Sequence, residues 1–371
     1  MNLRYLIGLL AALYLAVCPA AAPAFSTVPD VPALSSCRPD VPPAAAEEDL
    51  PGLPEEPPAD PPAGGEEENG FDIVLSFTGD MLLASGYGLR AAGNFLDYAA
   101  RQEPAYFLQN VRPIFEADDF TVVNLENVLT DRSLTPREKD TDPAFWFRSG
   151  TGSTDILTSS GVEAVSLANN HTHDYGAKGY ADTVRAVADA GLQYGDDTHP
   201  LYLEKNGFRI AVICTGLWNE GQAASIAGRL RAAEAESDYQ IVFYHGGTEG
   251  VHMPEAWKIR ASRRLVDAGA DLVLGSHPHV LQPREVYQGT EILYSLGNFC
   301  YGGSRQPQNR TVIYRLTLTV ADGRLAGSAS ELIPCYVYTG GVNNYCPLPI
   351  ADEQQRQKVL DFMDGRTGLP Y

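Results

Sequence analysis

The chain has 371 residues, of which 47 are acidic and 27 are basic, and its formal net charge is −20. A polyanionic surface repels phosphate backbones, so this charge argues against nucleic acid as a partner and against a basic grip on anionic lipid. About 300 residues follow two unusual N-terminal segments, enough for one large domain with a well-buried core.

Residues 1–25 have the pattern of a secretory signal peptide. Arg4 precedes the apolar run 6–17, and small residues follow that run. An uncleaved N-terminal anchor is the alternative, although Pro19 and Pro23 shorten a helix that needs roughly 20 apolar residues to span a bilayer. Either interpretation predicts an extracellular or cell-surface location, with the chain secreted or anchored by its N-terminus.

Residues 26–70 form an acidic, proline-rich segment. They hold eleven acidic residues against the single base Arg38, and 11 of the 26 prolines of the chain. With few bulky apolar side chains, the segment cannot bury enough surface to offset the entropy of ordering, so we expect a disordered, extended linker. A folded domain over 71–350 and a C-terminal helix and tail over 351–371 are expected after it.

Four cysteines lie in the predicted domain and tail. Cys335 and Cys346 are close in sequence and could pair in an oxidising compartment. Cys214 and Cys300 stand in apolar stretches, where we expect small buried hydrophobic side chains. The cysteine spacing excludes a structural zinc–thiolate site.

From residue 71 onward, short apolar runs alternate with segments of helical period. The predicted strands are 73–78, 120–124, 164–167, 209–214, 241–244, 271–274, 292–295, 312–320 and 331–338. The predicted helices are 178–190, with Tyr180, Val184, Val187 and Ala188 on one face, and 254–268, with Trp257, Ala261, Leu265 and Ala268 on one face. Alternating strands and helices indicate βαβ units, and the turn 321–323 predicts an antiparallel hairpin. The predicted fold class is α/β, with sheets covered by helices.

Side chains that can bind metal follow many of these strands. They are Asp80, Glu126, Asn170, His171, His245, Glu249, His277, His279 and Asn298. Because ligands bind at the carboxyl ends of strands in open α/β sheets, we expect them to meet at one edge. Imidazole nitrogen with carboxylate and amide oxygen suits one or two divalent ions such as Mn, Zn or Fe. Each residue alone also fits an ordinary turn or a surface acid, so the combination carries the prediction of a metal site.

Several motifs, in order over about residues 77–303, resemble those of the CapA-type poly-γ-glutamate capsule synthesis proteins, whose domain is similar to the calcineurin-like metallophosphoesterases. They are Phe77-Thr78-Gly79-Asp80, Asn124-Leu125-Glu126-Asn127, Ala168-Asn169-Asn170-His171 with Asp174-Tyr175-Gly176, His245-Gly246-x-x-Glu249, Gly275-Ser276-His277-Pro278-His279 and Tyr294-Ser295-Leu296-Gly297-Asn298-Phe299. The resemblance implies a metallophosphatase-like layered sandwich of two mixed β-sheets flanked by helices.

The resemblance also implies roles for individual residues. The implied metal ligands are Asp80, Glu126, Asn170, His245, His277 and His279, and the implied catalytic residues are His171 and Asp174. The sequence departs from the phosphoesterase pattern at two positions, since Leu82 stands where a ligating His is usual and Glu126 replaces a bridging Asp. One tightly bound ion, or two bound with unequal affinity, would fit these departures.

Three further residues are assigned to substrate binding. Arg148 could clamp an anionic group as a guanidinium fork, with a surface ion pair as the competing interpretation. Glu249 could contact substrate, bind metal or orient His245, and Asn298 lies in the last motif.

The expected activity is that of a metal-dependent hydrolase of the metallophosphoesterase type. Metal binding lowers the pKa of a water, which would attack phosphorus or an acyl carbon while His171 donates a proton to the leaving group. The expected partners are an anionic polymer such as poly-γ-glutamate, or its precursor, and a membrane-bound capsule synthesis complex. Two alternatives stay open, namely a non-catalytic accessory that binds and tethers polymer and a general extracellular phosphoesterase.

Overall fold

The computed structural model describes residues 70–88 and 92–371. The predicted signal or anchor segment lies outside these ranges, as does the predicted linker up to residue 69. Within the described ranges, no helix is both long enough and apolar enough to cross a membrane.

Strands and helices alternate along most of the described chain. The strands are β1 (Gly70–Leu82), β2 (Ser85–Gly86), β3 (Phe120–Leu125), β4 (Val128–Leu129), β5 (Phe147–Ser149), β6 (Ala164–Ser166), β7 (Gln193–Gly195), β8 (Leu201–Lys205), β9 (Phe208–Gly216), β10 (Tyr239–His245), β11 (Leu272–Ser276), β12 (Leu281–Tyr287), β13 (Thr290–Leu296), β14 (Asn298–Tyr301), β15 (Thr311–Ala321), β16 (Arg324–Tyr336) and β17 (Leu348–Pro349). The helices are α1 (Phe95–Ala99), α2 (Arg112–Phe115), α3 (Thr154–Thr158), α4 (Gly176–Asp189), α5 (Ala223–Glu234), α6 (Ala256–Asp267) and α7 (Glu353–Met363).

Two large mixed sheets form the centre of the fold. The first has eight strands in the order β17-β16-β15-β1-β3-β6-β7, with β14 pairing beside β1. The second has six strands in the order β12-β13-β11-β10-β9-β8, and β2, β5 and β4 make a small third sheet. Within each large sheet the central strands run parallel, and antiparallel strands flank them. The predicted α/β class, with two mixed sheets flanked by helices, is confirmed.

The two sheets pack face to face through a shared hydrophobic core. Ile73, Leu75 and Phe77 of β1 point into this core and are fully buried. The rings of Phe77 and Phe243, one from each sheet, meet edge to face with centroids 5.7 Å apart. Because helices cover the outer faces, the central strands are buried on both sides, and this explains their nearly continuous apolar sequences.

Helices form the outer layers. Residues of α4 pack on the eight-stranded sheet, and residues of α5 and α6 pack on the six-stranded sheet. The predicted helix 178–190 corresponds to α4, but its predicted face is partly wrong because Ala188 is exposed. Thr183 is buried instead, since its hydroxyl accepts the backbone N–H of Leu129 in β4 at 2.9 Å. The C-terminal helix α7 packs into the core between the sheets.

The predicted hairpin is confirmed, with Ala321 of β15 opposite Arg324 of β16. Cys335 and Cys346, which could pair in an oxidising compartment, are both free thiols in the structure. The thiol of Cys346 instead donates to the carbonyl of Tyr106 and accepts from the amide of Asn110, both at 3.1 Å. Cys214 and Cys300 are fully buried, as predicted.

Candidate metal centre

The carboxyl ends of strands from both large sheets meet at one edge. Asp80 stands in β1 where that strand pairs with β14, and Glu126 follows the last residue of β3. His245 ends β10, while His277 and His279 follow β11. The structure therefore brings five of the predicted ligands together from four strand ends.

Gly79 permits the close backbone approach that positions Asp80. A Cβ atom at residue 79 would lie 1.8 Å from the carbonyl oxygen of Gly297. The backbone N–H of Asp80 donates to the same carbonyl at 2.9 Å. Only glycine fits at residue 79, so the Gly-Asp pair of the first motif has a steric cause.

Potential ligand atoms converge in three overlapping groups, and within each group the atoms lie within 4.8 Å of one another. The groups are Asp80, Glu126 and His279; Glu126, His245 and His277; and Glu249, His277 and His279. Asn170 adds an amide oxygen, because its Oδ1 lies 2.8 Å from Nε2 of His245. Nitrogen and oxygen donors in this mixture suit Zn, Mn or Fe.

Glu126 gives the most direct indication that a cation belongs at this edge. Its side chain is 0% exposed, and neither carboxylate oxygen has a hydrogen-bond partner in the described part of the chain. Its Oε1 lies 3.3 Å from Nε2 of His245 and 3.7 Å from Nε2 of His279. Burying a carboxylate without partners lowers the free energy of unfolding by roughly several kcal/mol unless a positive charge compensates it. The residues therefore fit a divalent ion.

Asn298 fixes the orientation of His279. Its Nδ2 donates to the backbone carbonyl of His279 at 2.9 Å, so its Oδ1, 3.0 Å from Nδ1 of the imidazole, is an acceptor. Oδ2 of Asp80, also an acceptor, lies 3.0 Å from the same nitrogen. Nδ1 therefore carries the proton, which leaves Nε2 to face Glu126. Because Asn298 is 2% exposed, its described contacts are with a potential metal ligand rather than at an open substrate surface.

His245 is held in a comparable way. Nδ1 lies 3.0 Å from Oγ of Ser276, and that hydroxyl also contacts the carbonyl of Tyr244 at 3.3 Å. The amide of Asn124 lies 3.1 Å from Nδ1 and donates to Oδ1 of Asp80 at 2.9 Å. These contacts orient Nε2 towards Glu126 and the other ligand atoms.

Burial and mutual charge act in opposite directions on the protonation of this cluster. Burial opposes ionisation of Asp80, but hydrogen bonds from His245 and His279 outweigh it and hold the pKa of Asp80 well below its usual value. Burial also opposes charge on the two imidazoles, yet the carboxylates of Glu126 and Asp80 raise their pKa. For His277, burial and the charges of the other two histidines lower the pKa to about 2. His277 is therefore neutral, which is the form that binds metal.

His171 and Asp174 lie together, and His171 directly follows Asn170, which contacts His245. Nδ1 of His171 is 2.8 Å from Oδ2 of Asp174, and the ring of Phe147 packs against the imidazole with centroids 4.6 Å apart. Nζ of Lys139, a residue that the sequence did not single out, lies 2.5 Å from Oδ1 of Asp174. The arrangement orients the imidazole and leaves its Nε2 for other contacts.

The structure assigns different surroundings to two of the predicted substrate-binding residues. Arg148 donates to the carbonyl of Arg132 at 2.6 Å and lies over the ring of Tyr175, so its described contacts are neither a substrate clamp nor a surface ion pair. One carboxylate oxygen of Glu249 lies within 4.8 Å of a nitrogen of His277 and of His279. The hydrogen-bonding contacts of His245 are with other residues, among them Ser276 and Asn170. Glu249 remains exposed.

Aromatic side chains that the sequence did not single out line the same edge. The ring of Trp218 meets the rings of His245 and His277 edge to face, with centroids 5.8 and 5.0 Å away, and the side chain is 40% exposed. The ring of Tyr301 lies 4.9 Å from that of His279. Trp218 follows the end of β9, so the strand-end rule could have identified it.

Comparisons with known proteins match most of the folded chain. The family model for "Bacterial capsule synthesis protein PGA_cap" matches residues 74–302. The PGA biosynthesis protein CapA of Bacillus subtilis (strain 168) is 30% identical over 312 residues, which cover 77% of this chain and 78% of that protein. The capsule biosynthesis protein CapA of Bacillus anthracis is 29% identical over 285 residues, 68% of this chain and 66% of that protein. A solved structure of a hypothetical protein from Thermus thermophilus is 17% identical, with a TM-score of 0.41 over 71% of this chain and 99% of that one.

Proposed function

This chain belongs to the bacterial capsule synthesis protein family PGA_cap, and from that membership we propose that it takes part in capsule synthesis through the metal centre described above. The substrate we propose is poly-γ-glutamate, a related anionic polymer or its precursor, since a relative is named as a PGA biosynthesis protein. The reaction is metal-assisted hydrolysis or transfer.

The observation that carries this proposal is the unpartnered carboxylate of Glu126 among imidazole nitrogens. A purely structural buried acid would be hydrogen-bonded, whereas both oxygens of Glu126 lack such partners in the described chain. The nearest polar atoms include Nε2 of His245 at 3.3 Å. This environment supports the role of a metal ligand rather than that of a core acid.

The residues of the site have two proposed roles, metal binding and proton donation. Asp80, Glu126, Asn170, His245, His277 and His279 would hold a divalent ion, which supplies Lewis acidity and a water of lowered pKa when bound. His171 keeps Nδ1 towards Asp174, so its Nε2 is the nitrogen available to give a proton to a leaving group. In hydrolysis a water supplies the new oxygen substituent, the bond to the leaving group breaks, and that group departs with the proton.

The His171–Asp174 pair favours catalysis over passive tethering of polymer. A site that only bound carboxylates would need cations, and it would not need an imidazole fixed by a buried acid at 2.8 Å. Two functions compete with this proposal, namely a non-catalytic accessory that tethers polymer and a general extracellular phosphoesterase.

We place this activity outside the cytoplasm, at the cell surface. The support is the N-terminal sequence, in which a charged start, an apolar run and small residues precede an acidic, proline-rich segment. A membrane-bound capsule synthesis complex is the partner we propose for the chain there.

The test uses the purified full-length chain, stripped with a chelator and reloaded with Mn²⁺ or Zn²⁺. Poly-γ-glutamate is added, and its chain length is followed by size-exclusion chromatography, beside His171→Asn and Asp80→Asn variants. We expect shortening only with metal and only in the wild-type chain. Polymer that co-elutes with the protein at unchanged length would favour tethering. A wild-type chain without stoichiometric metal would contradict the proposed centre.

A further inference from the structure

A stack of aromatic rings leads from His171 to solvent. The ring of Phe147 packs against the imidazole with centroids 4.6 Å apart. The ring of Phe145 lies nearly parallel to that of Phe147, with an interplanar angle of 9° and centroids 6.4 Å apart. Phe147 is buried, whereas Phe145 is 50% exposed. The outer ring of the stack is therefore open to a ligand close to the imidazole that would donate a proton.

Phe145 belongs to a patch of aromatic side chains. Trp146 follows it, and the exposed ring of Tyr87 meets the ring of Trp146 edge to face with centroids 6.4 Å apart. The backbone N–H of Tyr87 donates to the carbonyl of Trp146 at 2.9 Å. Single exposed apolar residues are ordinary in proteins, but contiguous ones mark surfaces that bind a ligand or partner.

Hydrogen bonds hold Phe145 close to the His171–Asp174 pair. Nζ of Lys139 donates to the carbonyl of Phe145 at 2.7 Å and lies 2.5 Å from Oδ1 of Asp174. The backbone N–H of Phe147 donates to Oδ2 of the same carboxylate at 2.8 Å. The exposed ring is therefore in place before a ligand arrives, and this lowers the ordering cost of binding.

Arg137 supplies a cation beside this patch. Its backbone N–H donates to the carbonyl of Asp174 at 2.9 Å, and its carbonyl accepts the indole N–H of Trp146 at 2.7 Å. Its side chain is exposed and has no ion-pair partner in the part of the chain that the structure describes. Because Glu138 and Asp140 are exposed nearby in sequence, Arg137 would select an anion by the fork geometry of its guanidinium rather than by net charge.

We propose that Phe145 and Arg137 form a subsite for a γ-linked glutamyl chain, with the ring against backbone methylene groups and the guanidinium on a carboxylate. The proposal rests on the proposed function and specifies how its polymer is recognised. A γ-linked chain places a pair of methylene groups between successive amides, whereas an α-linked chain keeps them in its side chains. An aromatic face can lie along the first backbone and gain apolar contact there. Because the subsite adjoins His171, the part of the polymer held in it is the part that departs with the proton.

The test measures binding by fluorescence anisotropy. A short labelled γ-linked glutamate oligomer and an α-linked oligomer of the same length are titrated with the full-length chain, in chelator and again with Zn²⁺. We expect the wild-type chain to prefer the γ-linked oligomer. Phe145→Ala should weaken binding of that oligomer on the order of tenfold and remove most of the preference. Arg137→Gln should weaken binding of both oligomers by a similar factor, because both carry the same carboxylates.

Leu325→Ala and Arg324→Gln are the matched controls, and both should bind the oligomers as wild type does. Both residues are exposed at the start of β16. The adjoining end of β15 pairs with Gly70 at the start of β1, the opposite end of that strand from Asp80. Because Phe145 and Arg137 are also exposed, their variants are expected to fold, and an unchanged Tm checks this.

The other outcomes would overturn the subsite. They are equal affinity of the wild-type chain for the two oligomers, unchanged binding in either variant, and a wild-type chain that binds neither oligomer. Adenosine monophosphate is the comparison ligand, and binding of it that depends on Phe145 and is tighter than binding of the γ-linked oligomer would assign the ring to phosphorylated ligands instead. A chain that prefers the γ-linked oligomer but binds no stoichiometric metal would retain the subsite and contradict the proposed metal centre.

Discussion

Oδ2 of Asp174 lies 2.8 Å from Nδ1 of His171 and accepts the backbone N–H of Phe147 at the same distance. The other carboxylate oxygen lies 2.5 Å from Nζ of Lys139. This buried acid therefore connects three parts of the chain, and the orientation of the His171 ring depends on it.

Asp174→Asn should lower turnover more than it lowers metal content. The amide can turn its NH₂ group towards Nδ1 of His171, so the ring is no longer held in the orientation that lets Nε2 donate a proton to the leaving group. General acid catalysis contributes about 10²–10⁴-fold, and we expect a loss in kcat within that range for both His171→Asn and Asp174→Asn. Metal content by mass spectrometry should stay at the wild-type value. Asp189→Asn, exposed at the end of α4, is the control, and equal losses there would contradict the assignment.

Glu126→Gln should raise the stability of the metal-free chain and abolish its stabilisation by added metal. In the metal-free chain it removes a buried carboxylate whose oxygens have no hydrogen-bond partner in the described chain, so we expect the variant to be more stable than wild type by about 1–3 kcal/mol. Added Mn²⁺ or Zn²⁺ should raise the Tm of wild type and not that of the variant. Calorimetry with and without metal measures both effects. A variant less stable than wild type in chelator would show that Glu126 has a structural role.

Asn298→Ala should weaken metal binding without contacting the ion. The substitution removes one of the two acceptors of Nδ1 of His279, so the ring is held less firmly with Nε2 towards Glu126. Partners of ligating histidines are typically worth about 10–100-fold in affinity, and we expect a loss of that size by isothermal calorimetry. Asn110→Ala removes an amide far along the chain that bonds Cys346, and it should have no effect. An unchanged affinity in Asn298→Ala would refute the positioning role.

Gly79→Ala should destabilise the fold, because its methyl group would meet the carbonyl of Gly297 at 1.8 Å and neither backbone segment can move freely. Overpacking of this kind costs about 1–3 kcal/mol. Gly228→Ala is the matched control, since a Cβ atom at this exposed position in α5 meets nothing within 4 Å. That variant should gain about 0.5–1 kcal/mol. Urea unfolding compares the two, and similar values would contradict the close approach of β1 to β14.

The protonated side chain of Glu163 should make the free energy of unfolding fall as pH rises. Burial raises the pKa of Glu163 from its ordinary 4.5 to about 7, although the backbone N–H of Thr121 favours the charged form. The folded chain therefore keeps a proton that the unfolded chain releases. This stabilising contribution is complete below about pH 4.5, declines as pH rises, and is gone above about pH 7.

The test compares Glu163→Gln with wild type by urea unfolding at pH 4.5 and 7.5. Relative to wild type, the variant should gain on the order of 1 kcal/mol between the two pH values, a figure reduced for solvent screening of a partly exposed group. Glu204→Gln, exposed on β8, should show no such gain. Parallel behaviour of all three chains would contradict the shifted pKa.

The sequence was sufficient to predict which side chains meet at this edge because the rule that applies to them is simple. Asp80, Glu126, His245 and the two histidines after β11 all follow or end strands, and parallel strands present their carboxyl ends at one edge. The α/β class followed from the same alternation of strands and helices. The apolar runs of central strands are long enough to be recognised without a structure.

Residues whose role depends on distant partners were not predictable in the same way. Lys139 stands in an irregular segment, and only the fold places it against Asp174. Asn298 was assigned to substrate because nothing in its motif shows that it is 2% exposed. The strand β12 was missed since Pro283 and charged residues interrupt its pattern, which a sheet tolerates at an edge such as the one β12 occupies.

The two sheets supply the potential ligands jointly, which determines when in folding the chain could acquire an ion. Asp80 and His277, whose backbone N–H donates to the Asp80 carboxylate, are 197 positions apart in sequence. An unfolded chain cannot hold donors so far apart around one ion, so capture must follow the packing of sheet on sheet. The affinity of such a site for a first-row metal follows the intrinsic order of the elements, whichever metal the protein uses. If the site binds an ion, the compartment in which folding finishes would therefore select the metal through the ions available there.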